Sequence, residues 1–142
     1  MRALMLEWFC GDEAAVDFAT VLFDAIQRWD DVEDEGRCDE HNAMVAWWAF
    51  GKEYHPFFLV NSDILRPVLM SMYLQWRAAN VLDHGDRNDV DKSYMLRAAY
   101  YQVLQMIACL CGGLEHAAIV GPEIYRSYAE TADELWQEMI NA

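Results

Sequence analysis

Basic residues are scarce in this chain. Ten lysines and arginines stand against 24 aspartates and glutamates in 142 residues, a formal charge of −14. That balance excludes binding to nucleic acid or an anionic membrane through a basic surface. Long apolar runs are also missing: none approaches the roughly 18 uncharged residues that a membrane span needs. Met1 to Cys10 holds Glu7 and no long apolar stretch, so no signal peptide is expected there and the expected location is cytoplasmic. Proline is rare, with only Pro56, Pro67 and Pro122. No Pro/Gly-rich linker, internal repeat or low-complexity tract divides the sequence, so one domain is expected over residues 1–142.

Motifs of familiar chemistry are absent as well. There is no G-x-S-x-G, P-loop or G-x-G-x-x-G, which removes support for serine-hydrolase and nucleotide-fold chemistry. The four cysteines, Cys10, Cys38, Cys109 and Cys111, make no C-x-x-C pair. Cys109 and Cys111 lie in a helical pattern that sets them about 200° apart, so they cannot face one metal. Buried free thiols in a reducing compartment are expected. His41, His55, His84 and His116 fit no helix-borne metal motif. His84 with Asp83, Asp86 and Asp89 is a small candidate metal site, weighed against a solvated turn.

What the chain does have is apolar content, at 55%, repeating at helical spacing. Asp12 is a good N-cap for a first helix to about Asp31, with a narrow polar stripe and a wide apolar face. A second helix is expected from about Glu40 to Lys52, carrying Trp47 and Trp48. His55-Pro56 marks a break. Ser62 suggests the cap of a third helix ending near Leu82, with Pro67 inside it. A fourth is expected over Asp89–Cys111, stopped by Gly112-Gly113, and Gly121-Pro122 opens the last. The fold class is therefore an all-α single-domain bundle of about five or six helices.

Acids concentrate at the start. Residues 1–40 hold twelve acids and three bases, with a dense run at Asp30-Asp31-Val32-Glu33-Asp34-Glu35. If the first helix continues through the run, Asp30 and Asp34 are spaced i,i+4 and Asp31 and Asp34 i,i+3. Their Cβ atoms then lie about 5–6 Å apart, close enough to share a hard cation. Mg2+ commonly takes one or two carboxylates and leaves its other positions to water or phosphate. In the alternative, the helix ends at Asp30 and the acids form a solvated loop.

Arg97 is the only charge between Lys92 and Glu115. An arginine on so apolar a helix needs a carboxylate or an anionic ligand. The expectation is that it faces Asp30, Asp31 and Asp34 or grips a phosphate; snorkelling to the surface is the alternative. Asn42 and Asn80 are candidates to complete such a polar centre.

Asp30-Asp31-Val32-Glu33-Asp34 resembles the first aspartate-rich motif of the isoprenoid diphosphate synthases, an all-α family in which it holds magnesium on a diphosphate. The second motif of that family is only begun, by Asn88-Asp89-Val90. Ser93 stands one place late, Leu96 replaces the acid, and the chain is about half the family's length. A wider resemblance runs through Trp29-Asp30-Asp31, Asp34, Asn42, Trp48 and His55-Pro56-Phe57-Phe58. It continues through Gln75-Trp76-Arg77-Ala78-Ala79-Asn80, Leu96-Arg97 and Gly112-Gly113. Over about Trp29 to Glu123 the chain is similar to an uncharacterised family of small phage and prophage proteins, which implies a phage setting and the host cytoplasm.

Two functions follow as expectations. One is a magnesium-dependent protein binding or processing a phosphorylated small molecule, with Asp30, Asp31 and Asp34 on the metal and Arg97, Asn42 and Asn80 on the substrate. The other is a non-enzymatic acidic interaction protein binding itself or a host protein. Six tryptophans, seven tyrosines and six phenylalanines are heavy for this length. A homodimer is expected, through the last helix (Tyr125, Tyr128, Trp136, Met139) or the Trp47/Trp48 helix.

Overall fold

The computed structural model describes residues 1–34 and 54–142. The expected helix Glu40–Lys52, with Trp47 and Trp48, and the candidate Asn42 lie outside the described residues. The described residues form α1 (Arg2–Trp8), α2 (Glu13–Asp34), α3 (Pro56–Leu82), α4 (Arg87–Arg97), α5 (Ala99–Gly112), α6 (Leu114–Arg126) and α7 (Ala132–Ile140). No strand occurs among them, in agreement with the all-α reading. Contacts gather into two compact units, Met1–Leu65 and Arg66–Ala142, and the division falls inside α3.

In the first unit, α1 is a short helix that sequence periodicity did not single out. Its Met5 and Trp8, with the following Phe9, are buried. The chain then reverses through Cys10 (φ 55°) and Gly11 (φ 79°). Gly11 N–H donates back to the Leu6 carbonyl at 2.7 Å and Cys10 N–H to the Glu7 carbonyl at 3.3 Å, the Schellman pattern that closes α1. Asp12 caps α2 as expected: its Oδ1 accepts from Ala15 N–H at 3.1 Å. Ala15, Phe18, Leu22, Ala25, Trp29 and Val32 are buried at spacings of three and four, which makes one apolar face. Phe18 packs against Phe57 and Phe58, with ring centroids 5.8 and 6.3 Å apart.

His55 joins the two helical segments of this unit. Its Nδ1 accepts from Phe57 N–H (3.2 Å), which leaves Nε2–H to donate to Asp17 at 2.7 Å. The ring thereby caps the start of α3, which begins at Pro56 and not at Ser62. The expected boundary survives as a kink at Asn61 (φ −117°, ψ 18°), whose side chain donates to the Phe57 carbonyl at 3.0 Å.

In the second unit, Leu69, Met72, Trp76 and Ala79 of α3 are buried together with Val103, Leu104, Ile107 and Ala108 of α5. Each large side chain so buried is worth roughly 1.5–3 kcal/mol. The expected single helix Asp89–Cys111 is two. At Ala98 (ψ −2°) the chain tightens into a three-residue turn, with Ala98 N–H on the Met95 carbonyl at 3.2 Å. Gly113, at φ 90°, ends α5 and its N–H meets the Cys109 carbonyl at 2.7 Å.

The expected last helix is likewise redrawn. Gly121 and Pro122 lie inside α6, and a break at Ser127–Glu130 separates it from α7. Gly121 is there for close approach: a Cβ would stand 2.4 Å from Gln105 Nε2. That amide donates to the Ala117 carbonyl (3.2 Å) and its oxygen accepts from the Tyr125 hydroxyl (3.1 Å), which ties α6 to α5. Thr131 and Glu134 form a capping box that starts α7.

Candidate functional site

Three features compete for the functional site, and each grows from a local pattern. The first is the acidic end of α2. The helix does run through Asp34, so Asp30 and Asp34 are one turn apart as the metal reading requires. Asp30 is half-buried; Asp31 and Asp34 are exposed. No base stands in the last turn to offset the helix dipole. Among the described residues, no three His, Cys, Asp or Glu side chains converge on one cation position.

The second feature is the polar knot around Arg97. The carboxylate that the sequence argument demands is Asp83, whose side chain is 8% exposed against 27% for Arg97. Arg97 Nη2 bonds Asp83 Oδ2, Ser93 Oγ donates to Asp83 Oδ1 at 2.5 Å, and Arg97 Nε reaches Ser93 Oγ at 3.3 Å. Ser93 is fully buried, the only polar residue so placed among the described residues. Asp83 therefore turns inward instead of sitting in a solvated turn. Asp86 is spent too, since its side chain caps α4 by accepting from Asp89 N–H at 2.9 Å. Two members of the candidate cluster of His84 with Asp83, Asp86 and Asp89 are thus engaged in structural contacts, while His84 is exposed and Asn88 to Val90 lie in the first turn of α4. Gly85 belongs to this turn because a Cβ would come within 2.6 Å of the Asp89 Cβ.

Around the knot stand aromatic and acidic groups. Tyr94 donates to the Glu130 carbonyl at 2.9 Å, and Tyr128 packs on Tyr94 and Tyr101 at 5.2 and 5.0 Å. Burial pushes the Tyr128 phenol well above its ordinary range. Burial also raises the Glu130 carboxyl, helped by a hydrogen bond and repulsion from Glu138 and opposed by Arg97. Tyr128 and Trp136, expected on an exposed dimer stripe, are half-buried, and they sit on different sides of the break between α6 and α7. Asn80 is part-buried, and its Nδ2 has no hydrogen-bond partner among the described residues.

The third feature was not singled out from the sequence. Arg66–Leu82 contains two arginines and no acid, and Ala98–Leu114 contains no charge. Cavities of about 230 and 350 Å³ flank α5, and they share Gln102 and Met106. Every residue lining either one is uncharged, including Val68 and Gln75 of α3 and Leu114 and Tyr125 of α6. On the side of α3 turned away from its buried residues, Met70, Leu74 and Val81 are 52, 58 and 75% exposed. Their signal in the sequence was an acid-free stretch in an acidic chain, visible only by charge and not by motif.

Cys10 is exposed while Cys109 and Cys111 are half-buried, so none of these three thiols is fully buried. No described helix is long and apolar enough to cross a membrane. No protein-family model, curated protein or solved structure matches this chain.

Proposed function

We propose that this chain is a non-enzymatic acidic interaction protein, phage-related in setting, that works by docking a protein surface against its second unit. The observation that carries this reading is the pair of cavities on either side of α5, lined by uncharged residues of α3, α5 and α6. In a chain with 24 carboxylates, none of the described ones lines either cavity, and Leu74, Val81 and Leu114 stand in solvent. Contiguous exposed apolar surface of this kind marks interaction sites. Arg97, offered as a phosphate-binding residue, has a carboxylate partner within its own unit in Asp83. Photo-crosslinking residues placed at Leu114 and Leu74 in cells test it, with Asp24 of α2 as reference. Crosslinked protein species are expected from the first two and not from Asp24. If neither yields one, the docking reading falls.

The continuation of α2 through Asp34 favours a second reading, a Mg2+ held by Asp30 and Asp34 with water or phosphate completing the shell. Mg2+ would then raise the melting temperature of the wild-type chain and not of Asp30→Ala/Asp34→Ala. Equal shifts in both, or none in either, would dispose of it.

A further inference from the structure

Resting on the docking reading above, we infer that the two cavities beside α5 are filled by one helix of another protein, which crosses α5 and seats a large uncharged side chain in each.

The cavities set the size and charge of what enters them. The first, of about 230 Å³, is too small for an ordinary small-molecule ligand, and the second, of about 350 Å³, lies at the bottom of that range, which begins near 300 Å³. Both suit single large side chains, the kind that anchor protein interfaces. Among the described residues, no charged one lines either cavity. An ionised side chain placed there would lose water and meet no opposite charge on the walls. What the walls do supply is neutral: Ser71, Gln75 and Gln102 in the first cavity, Gln102 and Tyr125 in the second. The Gln105 amide is engaged with Ala117 and Tyr125. The anchors are therefore apolar or aromatic, with at most a neutral polar tip. The chain's own charge of −14 works against a second copy as their source.

Spacing selects a helix. The cavities share Gln102 and Met106, so α5 stands between them, with α3 walling the first and α6 the second. Packed helices lie about 8–10 Å apart, which sets the two grooves beside α5 at a similar separation. In a helix, residues seven apart share a face at a separation of about 10.5 Å, whereas those three or four apart reach only about 4.5–6 Å. Same-face residues of a strand fall at about 6.7 or 13 Å and miss the spacing. A helix lying across α5 thus reaches both cavities with anchors seven residues apart. Between them it passes over the half-buried Met106, whose flexible thioether adapts to an uneven surface.

A photo-crosslinking residue, p-benzoylphenylalanine, tests the inference in cells. It is placed at Ser71 on the first cavity or, in a separate variant, at Ala118 on the second; both positions are exposed. Both should trap the same protein, with attachment points, mapped by mass spectrometry, about seven residues apart in one helix and among uncharged residues. Ala118→Asp puts a carboxylate in the second cavity and leaves the first as it is. It should keep the helical circular dichroism and cut crosslinking from Ser71 about tenfold or more, because a helix held at two points loses one of them. Should Ala118→Asp fail to fold, the spacing of the attachment points decides the matter alone. Different proteins from the two positions, an extended or charged segment, attachment to this chain itself, or no crosslink from either position overturns the inference. Undiminished Ser71 crosslinking in a folded Ala118→Asp does the same. In any of these cases, crosslinks from Leu114 to a different protein would leave the docking reading standing, and their absence from both Leu114 and Leu74 would remove both.

Discussion

The two ends of α4 carry arginines ten residues apart that pair with acid in opposite ways. Arg87, at the start, is 42% exposed and reaches Asp91 and Asp133 at 2.7 Å each. Arg97, at the end, is 27% exposed and shares Asp83 with the buried Ser93. Both ion pairs of Arg87 are short and lie in open solvent. By environment Arg97 matters more, because its partner carboxylate has lost nearly all contact with water. Burial raises the cost of breaking a pair far more than it raises the worth of making one. The number of salt bridges is therefore a poor guide to which arginine holds this unit together.

The largest effect should follow from removing the buried acid. Asp83→Ala removes the buried carboxylate that Arg97 and the Ser93 hydroxyl share and should cost about 3 kcal/mol, read from the midpoint of denaturant unfolding. The double variant Asp83→Ala/Arg97→Met leaves no charge in the knot and should be more stable than Asp83→Ala alone. If Asp83→Ala costs no more than Arg87→Ala, burial is not what separates the two ends.

A smaller effect should come from Glu130, which sharpens the comparison by adding an acid without a cation of its own. Burial raises its carboxyl above the unfolded value, and Glu138 adds to this, while Arg97 opposes and Glu134 repels. A raised folded-state pKa means that the folded form holds the proton more tightly. Its stabilising contribution is thus fully present below the ordinary carboxylate range and is lost as pH rises through the raised value. Glu130→Gln imitates the protonated form. Its melting temperature should exceed that of the wild type near neutrality, and the gap should close in the acid range. A gap that is constant with pH would show that the titration of Glu130 plays no part.

The comparison also shows what was legible in the sequence. Helix class was, because apolar spacing repeats throughout, and so was Asp12, because a cap is a local matter. The demand of Arg97 for a carboxylate was legible too, since one charge in a long apolar stretch must be answered. That Asp83 is a partner was not: it stands with Asp86, Asp89 and a histidine around one turn, and only the tertiary fold points it inward. The breaks at Ala98 and after Arg126 escaped notice because neither has a proline or glycine at the break. Gly121 and Pro122 misled in the other direction, because Gly121 makes room for the Gln105 amide and ends nothing. The uncharged cavity walls were present as an absence of acids, a signal that motif reading passes over.

The smallest effect belongs to Arg87, although both of its ion pairs are short. Its two carboxylates favour the charged guanidinium, the hydrogen bond to Asp133 most of all, and Trp136 lies 5.8 Å from the guanidinium carbon. All of these groups except Trp136 stand in water, where charge attraction is weak and the entropy of holding two long side chains opposes it. What remains should depend on salt, because exposed pairs are screened within about 8–10 Å at moderate ionic strength. A double-mutant cycle on Arg87→Ala and Asp133→Ala should give a small coupling at low salt that disappears at high salt. Asp83→Ala should lose nearly the same stability in both conditions. A coupling between Arg87 and Asp133 that persists in high salt would mean that this end of α4 is drier than its exposure indicates, and the contrast between its two arginines would collapse.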